Sequence, residues 1–211
     1  MNYGQMEGRV LRLLNQYSVA GAPVASSYNN QQDYLNRIPG LVNDAMMEIA
    51  TSARKIPALL RLCASDAEDL GQTLRFALPQ DFYQFKTGDT FQLTEDGRLL
   101  HTNRYGLQGK QYLLVPKAEL DPGERVEITY YRYPALLPER PAAETELDNT
   151  PETHDAAAFY VAAFLVIHDD SFQFASFYNK YEDKLAKMDR GLSVEMAPWE
   201  AETDNYGVYE V

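Results

Sequence analysis

The chain has 211 residues, of which 45% are hydrophobic and 24% charged, and its formal net charge is −12. This composition is typical of a folded domain, with no segment long enough to span a membrane and no signal-peptide pattern at the start. A single cysteine, Cys63, excludes an intramolecular disulfide bond. The negative charge repels nucleic acid phosphates and argues against a protein that grips DNA. It either keeps the protein soluble or lines a passage through which DNA slides.

An amphipathic helix is predicted at residues 3–17, followed by a loop. The apolar residues at helical spacing are Met6, Val10, Leu13, Leu14 and Tyr17. Residues 18–32 are small and polar and have no period, which predicts a long loop. We expect this loop to be mobile in the free protein and ordered after assembly, because it cannot bury enough surface alone.

A second helical pattern runs up to residue 55 and contains a proline. We expect a short helical turn at 33–37 and a main helix at 38–55, with Pro39 in its first turn, where the missing N–H is tolerated. Pro57 should then end or kink this helix, and residues 58–63 are predicted to add a further helical turn.

Residues 73–133 alternate between apolar and polar side chains, as β-strands do. The predicted strands are TLRFALP, FYQFKT, FQLTEDGRLLHTN, QYLLVP and RVEITYYRY. Asp96-Gly97 and Asp121-Pro122-Gly123 indicate turns. Short strands with close turns predict an antiparallel meander, because parallel strands require long crossovers.

The chain returns to helix after a proline-rich connector at residues 134–149. Thr150 is predicted to cap a helix whose first position is Pro151. An apolar stripe of Phe159, Ala162, Ala163 and Val166 follows. A break is expected at Asp169-Asp170-Ser171, and a second helix should then continue to about Arg190.

Together these elements predict an α+β protein. A mainly helical bundle, built from both ends of the chain, should carry an inserted antiparallel β-meander, because both apolar stripes are too wide for isolated helices. The predicted regions are helices at 1–72, β-structure with the connector at 73–149, a helical hairpin at 151–190 and an acidic, aromatic tail at 191–211.

Two histidine–aspartate pairs are the best candidates for catalytic chemistry. His154-Asp155 and His168-Asp169 could in principle bind the metal of a phosphohydrolase. On one continuous helix, fourteen residues of separation correspond to about 21 Å, too far for one metal ion. We therefore expect His154 to be a surface residue of a first helical turn and His168 a helix-end residue. The sequence therefore predicts no catalytic residue, no cofactor-binding residue and no metal-binding residue.

Aromatic residues provide the interface candidates. Tyr130, Tyr131 and Tyr133 end the last strand, where sheet packing or an interface could explain them. Residues 191–211 contain five carboxylates and no lysine or arginine. This composition is typical of a solubilising tail and also of a segment that docks on a neighbour. The interface candidates are Trp199, Tyr206, Tyr209, Tyr131, Tyr133 and Tyr28.

The motifs P-E-x-H-D-A-x-x-F-Y-V-A and A-x-x-Y-x-x-Y-x-x-K-L follow the connector, and residues 33–55 precede the β region. This order resembles the bacteriophage head–tail connector (adaptor, or head-completion) family. The residues that carry the resemblance are Pro151, Glu152, His154, Asp155, Ala156, Phe159, Tyr160, Ala163, Asp170, Ala175, Tyr178, Tyr181 and Leu185.

The resemblance implies a structural virion protein and not an enzyme. Such proteins form rings of about twelve copies below the portal, where heterologous contacts close the ring. The implied partners are the portal protein, tail proteins and other copies of the chain. DNA passes through without specific binding, and no cofactor or membrane is involved. The implied location is the virion, assembled in the host bacterial cytoplasm. The alternatives are another tail or baseplate component and, with less support, a host cytoplasmic metal-dependent hydrolase that uses either histidine–aspartate pair.

Overall fold

A computed structural model describes residues 1–14, 28–85, 91–93, 99–100, 106–120 and 125–203. The helices in these ranges are α1 (Tyr3–Leu13), α2 (Tyr28–Ser52), α3 (His154–Val166) and α4 (Ser171–Thr203). The strands are β1 (Ile56–Cys63), β2 (Glu68–Asp69), β3 (Thr73–Ala77), β4 (Phe82–Phe85), β5 (Phe91–Leu93), β6 (Leu99–Leu100), β7 (Gly106–Gln108), β8 (Tyr112–Pro116) and β9 (Arg125–Arg132). The predicted α+β class is confirmed.

The chain divides into two compact units. Met1–Arg54 and Pro134–Val211 form the first, which we call the helical unit, and Lys55–Tyr133 form the second, the β unit. Each unit has its own hydrophobic cluster among the described residues. The helical unit is therefore made from two segments that are distant in sequence.

In the helical unit, α3 is buried on all sides. Ten of its thirteen residues are buried, with Val161 at 0% and Leu165 at 1% exposure. A helix that is hydrophobic all round must be covered by other elements, and α1, α2 and α4 each contact α3. Phe159 differs from the predicted stripe because it is only partly buried, beside Phe177 of α4 at 6.4 Å between ring centroids.

Helix α2 is one continuous helix, so the predicted separation into a turn and a main helix is wrong. It begins at Tyr28, which also makes the end of the predicted 18–32 loop helical. Pro39 lies inside it. The buried residues Ile38 and Val42 on either side of Pro39 hold the helix together despite the missing hydrogen bond. The remainder of the predicted loop falls within residues 15–27, outside the described residues.

The helical turn predicted at residues 58–63 is also wrong, because these residues belong to strand β1. Ile56 and Leu62 are buried, whereas Pro57 and Leu59 are exposed. β1 pairs on one side with β9 and ends the strand order of its sheet, and proline is tolerated in such edge strands. The β region thus begins earlier than residue 73.

The described strands form two antiparallel sheets, and the predicted meander is wrong in its connectivity. One sheet has the order β1-β9-β5-β6, with β4 also paired to β9, and the other has the order β2-β3-β8-β7. The first strand of the region pairs with the last, so the pairings are nested. Local periodicity identifies strands but does not determine which distant strands pair. β5 and β6 do pair around Asp96-Gly97, although both predicted turns lie outside the described residues.

The proline-rich connector lies against the first two helices. Asn43 of α2 accepts a hydrogen bond from the Leu137 N–H at 2.7 Å and donates one to the Leu137 carbonyl at 2.9 Å. The N–H groups of Tyr3 and Gly4 donate to connector carbonyls, each at 2.8 Å. A Cβ on Gly4 would lie 3.0 Å from the Cβ of Ala143, so this close approach favours glycine.

The start of α3 differs from the prediction. The Thr150 side chain makes no capping hydrogen bond, and a 3₁₀ turn at Pro151–Thr153 precedes the helix. Pro151 does occupy the first turn, as predicted. The Thr153 hydroxyl instead donates to the Thr150 carbonyl at 2.7 Å.

The break between α3 and α4 is where the sequence predicted it. Asp170 caps α4, because its Oδ1 accepts hydrogen bonds from the N–H groups of Phe172 and Gln173 at 3.0 and 2.9 Å. The predicted end near Arg190 is wrong, since α4 continues to Thr203. A glycine such as Gly191 disfavours helix by only about 1 kcal/mol, which is too little to end a long one.

Candidate interaction surface

Neither histidine–aspartate pair is arranged as a metal site. His154 is buried, with 5% exposure, and is not the surface residue that the sequence predicted. Burial lowers the pKa of its imidazole by disfavouring the charged form. His168 is exposed in the turn after α3, and Asp169 accepts a hydrogen bond from the Tyr34 hydroxyl at 3.3 Å. Within the described ranges, no group of three histidine, cysteine, aspartate or glutamate residues could hold a metal.

Asp155 joins three helices of the helical unit. Its carboxylate on α3 forms ion pairs with Arg9 of α1 and with Lys184 of α4, the latter at 3.0 Å. Partial burial opposes ionisation of Asp155, but the Lys184 hydrogen bond and the Arg9 charge outweigh it and hold the pKa of this carboxyl below its usual value. Just before α3, Glu152 lies 3.7 Å from Arg54. The motif P-E-x-H-D-A therefore positions α3 among its neighbours.

The tyrosines of the second motif also belong to the packing of the helical unit. Tyr181 is 1% exposed and donates a hydrogen bond to Glu48 of α2 at 3.0 Å. Its ring meets Tyr160 of α3 edge-on, with 5.2 Å between centroids. Burial, followed by the negative charges of Glu48 and Asp44, raises the pKa of Tyr160 to about 12. These residues hold the helices of the unit together.

An open groove of about 770 Å³ lies between α1, α2 and the connector. The residues that line it in the described ranges are Tyr3, Glu7, Gln32, Leu35, Asn36, Pro39, Gly40, Asn43, Leu137, Pro138, Glu139, Arg140 and Pro141. Asn36 accepts a hydrogen bond from Gln32, and Asn43 is occupied by the connector backbone. These contacts account for Gln32, Asn36 and Asn43 as parts of the fold.

The β unit carries an aromatic surface that is built by strand alternation. Tyr130 is 5% exposed, stacks on Phe82 and donates its hydroxyl hydrogen bond to Asp81 at 3.1 Å. Tyr131 and Tyr133, one residue to either side of Arg132, are both half-buried. Tyr133 directly follows the last residue of β9, and its N–H extends the hydrogen bonding by donating to the Asp81 carbonyl at 2.7 Å. Successive strand residues point to opposite faces, so Tyr131 and Tyr133 share the face opposite Tyr130.

Lys110 and Tyr83 complete this surface. Tyr83 lies where β4 shifts register against β9, and such bulges re-aim a side chain. Its ring is 5.1 Å from that of Tyr133. The Lys110 ammonium lies 5.2 Å from the Tyr83 ring centroid and 5.7 Å from that of Tyr133, and it donates to the Tyr133 hydroxyl at 3.2 Å. Gly109 precedes it with φ +61°, a left-handed turn conformation that favours glycine.

A second lysine lies on the next tyrosine of the strand. The Lys55 ammonium is 5.1 Å from the centroid of the Tyr131 ring. We call Lys55, Tyr83, Lys110, Tyr131 and Tyr133 the tyrosine–lysine patch. No carboxylate of the described residues forms an ion pair with either lysine, although Lys117 in the same unit pairs with Asp69. The patch therefore presents two positive charges on aromatic rings.

The structure describes only some of the predicted interface residues. Tyr131 and Tyr133 are together in the patch. Trp199 belongs to α4 and Tyr28 to α2. For both residues the structure describes the helical backbone but not the side chain. Tyr206 and Tyr209 lie outside the residues that the structure describes.

The sequence analysis did not identify Lys55, Tyr83 or Lys110 as interface candidates. Lys55 and Tyr83 are 28 positions apart along the chain, and Tyr83 and Lys110 are 27 apart. The pairing of β1 and β4 with β9 brings the first two together, whereas Lys110 comes from the turn between β7 and β8 of the other sheet. Tyr131 and Tyr133 could be found because an alternating aromatic pair on one strand is visible locally.

The packing of motif residues into a helical unit, and an aromatic, basic surface on a β unit, are features of a structural protein that binds other proteins. The sequence model of the SU10 adaptor protein family matches residues 1–201. The chain belongs to this family and is thus a phage structural adaptor, a virion component that interacts with other head and tail proteins.

Adaptors of this kind are normally not enzymes. A comparison with curated proteins found no match. None of the helices described here is both long and apolar enough to cross a membrane.

Proposed function

We propose that this protein forms a ring between the portal and the tail and lets DNA pass through its centre. The family match over residues 1–201 carries the proposal. The net charge of −12 supports it, because an acidic channel wall makes few lasting contacts with phosphate and so permits sliding.

The helical unit is the proposed framework of each subunit, a bundle built from both chain ends. Buried residues of α1, α2, α3 and α4 contribute to one hydrophobic cluster. Asp155 links three of these helices through ion pairs, and Tyr181 links α4 to α2 through Glu48. Cross-links of this kind keep a subunit rigid while it is held between two larger assemblies.

The aromatic candidates are the proposed contact residues of the ring. A heterologous ring contact joins one surface of a subunit to a different surface of the next. Tyrosine and tryptophan offer large rigid contact areas with a polar atom, which favours them at interfaces. Tyr131 and Tyr133 lie on the β unit, whereas Trp199, Tyr206 and Tyr209 lie in or after α4.

Electron microscopy of the purified protein mixed with its portal tests the proposal. We expect about twelve copies in a closed ring on the tail-facing end of the portal. Binding to tail or baseplate proteins without portal binding would instead assign the protein to another part of the virion. A particle without ring symmetry would contradict the proposal.

A further inference from the structure

The tyrosine–lysine patch is a surface with unused positive charge on a strongly acidic protein. Other exposed basic side chains, such as Lys117 and Lys187, meet carboxylates of the same chain. The ammonium groups of Lys55 and Lys110 instead lie over tyrosine rings, 5.1 and 5.2 Å from the nearest centroid. A cation on an aromatic face can still attract an anion, because the ring contact satisfies only part of its field.

The chain contains a segment whose chemistry is complementary to this patch. Residues 195–211 have five carboxylates, of Glu195, Glu200, Glu202, Asp204 and Glu210, and no lysine or arginine. The same segment contains three aromatic residues, which are Trp199, Tyr206 and Tyr209. Carboxylates can pair with the lysines and accept from tyrosine hydroxyls, while aromatic rings can stack on Tyr83 and Tyr133.

Segment 195–211 begins on the backbone of helix α4. The helix has 33 residues and is therefore about 50 Å long. Met188, the last side chain of α4 that the structure describes, packs against the helical-unit cluster. The backbone continues as helix for fifteen residues to Thr203, roughly 22 Å further.

We propose that the tyrosine–lysine patch of one copy binds segment 195–211 of a neighbouring copy. This inference rests on the proposed ring. Each subunit then has one acceptor surface on the β unit and one donor segment after the core of the helical unit, and identical contacts between successive copies close the ring. Lys55 and Lys110 set the charge preference, and the tyrosines form the stacking surface.

Mixed single-cysteine chains test whether the contact lies between copies. In a Cys63→Ala background, one chain carries Lys110→Cys and the other carries Tyr209→Cys. Each chain has one thiol, so oxidation of the equimolar mixture can join the pair only across two copies. We expect disulfide-linked heterodimers. Lys117→Cys mixed with Tyr209→Cys is the control and should give few.

In the alternative, segment 195–211 folds back on the patch of its own copy. A chain that contains both Lys110→Cys and Tyr209→Cys tests this, because the two thiols can then form a disulfide within one copy. An internal disulfide in that chain, together with no heterodimer in the mixture, would overturn the proposal.

Charge reversal gives an independent test with the full-length protein and its portal. Lys55→Glu with Lys110→Glu should weaken ring assembly roughly 10-fold or more, because close interfacial charge pairs contribute at least one such factor. Adding Glu202→Lys with Glu210→Lys to that variant should restore assembly. The control, Lys117→Glu with Lys187→Glu, changes the net charge equally outside the patch and should assemble normally.

The outcomes separate this inference from the proposed function. Normal rings from the Lys55→Glu, Lys110→Glu variant would overturn the patch contact and leave the adaptor ring intact. Failure of the unmodified protein to form rings on its portal would instead contradict the proposed function itself.

Discussion

In the helical unit Arg9, Arg54 and Lys184 meet carboxylates of neighbouring helices, whereas in the β unit Lys55 and Lys110 lie on tyrosine rings. The first arrangement uses charge to hold the subunit together. The second leaves charge available to a partner. The comparison indicates that the family motif maintains the fold of the helical unit, and the tyrosine–lysine patch of the β unit is the docking surface that we propose.

The largest expected effect is the loss of a side chain from the centre of the helical unit. Leu165→Ala should lower the free energy of unfolding by about 3 kcal/mol, because it removes a buried leucine from α3 and leaves a cavity. Denaturant unfolding followed by helix circular dichroism measures this. Leu59→Ala, at a 51%-exposed position of β1, is the control and should change stability by less than about 0.5 kcal/mol. Equal effects would show that burial does not distinguish these sites.

Helix positions and the α+β class could be predicted because the relevant signals are local. Met6, Val10, Ile38 and Val42 repeat at helical spacing, and all four are buried. The turn at Asp170 was predictable for the same reason, since a short polar run interrupts two apolar patterns.

What the sequence did not reveal depends on contacts between distant residues. β1 was mistaken for a helical turn because its leucines are informative only when β9 is known to lie beside it. His154 looked like a surface residue because its burial comes from the packing around α3. Only two tyrosines of the patch could be predicted, because Tyr131 and Tyr133 are close in sequence, whereas Lys55 and Lys110 are far from them and from each other.

A smaller effect is expected at the contact between α4 and α2. Tyr181→Phe removes the hydrogen bond to Glu48 and should destabilise the protein by about 1–2 kcal/mol, because a half-buried carboxylate loses one of its donors. Thermal and denaturant unfolding both report this loss. Tyr34→Phe is the matched control, since its 3.3 Å partner Asp169 is exposed and can be hydrated. A larger loss at Tyr34 would contradict the ranking.

The ion pairs of Asp155 should contribute less, since all three side chains are partly exposed. Asp155→Asn should lower the free energy of unfolding by about 1 kcal/mol at low salt, with a smaller loss at high salt. Asp33→Asn breaks an exposed pair within α2 and serves as the control, with little effect at either salt concentration. A salt-independent loss for Asp155→Asn would indicate packing and not charge.

The buried histidine predicts a pH dependence of stability that belongs to the helical unit. His154 has its pKa lowered by burial in the folded state, whereas the unfolded chain has the ordinary value of 6.5. As the pH falls through 6.5, the unfolded state binds a proton that the folded state does not bind, so the free energy of unfolding decreases until the folded pKa is passed.

Unfolding at a series of pH values below neutral measures this slope. His154→Gln should flatten it, although Glu146 and Asp155 nearby favour the protonated form and oppose the shift. An unchanged slope in His154→Gln would assign the dependence to other groups.

The smallest expected effect concerns the binding of duplex DNA. At physiological salt the purified protein should bind duplex DNA weakly or not at all, because its net charge of −12 repels phosphate. Lys55 and Lys110 have no carboxylate partner among the described residues, so Lys55→Glu with Lys110→Glu should weaken any such binding more than Lys117→Glu with Lys187→Glu does. Fluorescence anisotropy over a salt series distinguishes these cases. Tight binding with a steep salt dependence would contradict a passive DNA channel, and loss of that binding in the patch variant would contradict a patch whose charge is reserved for a neighbouring copy.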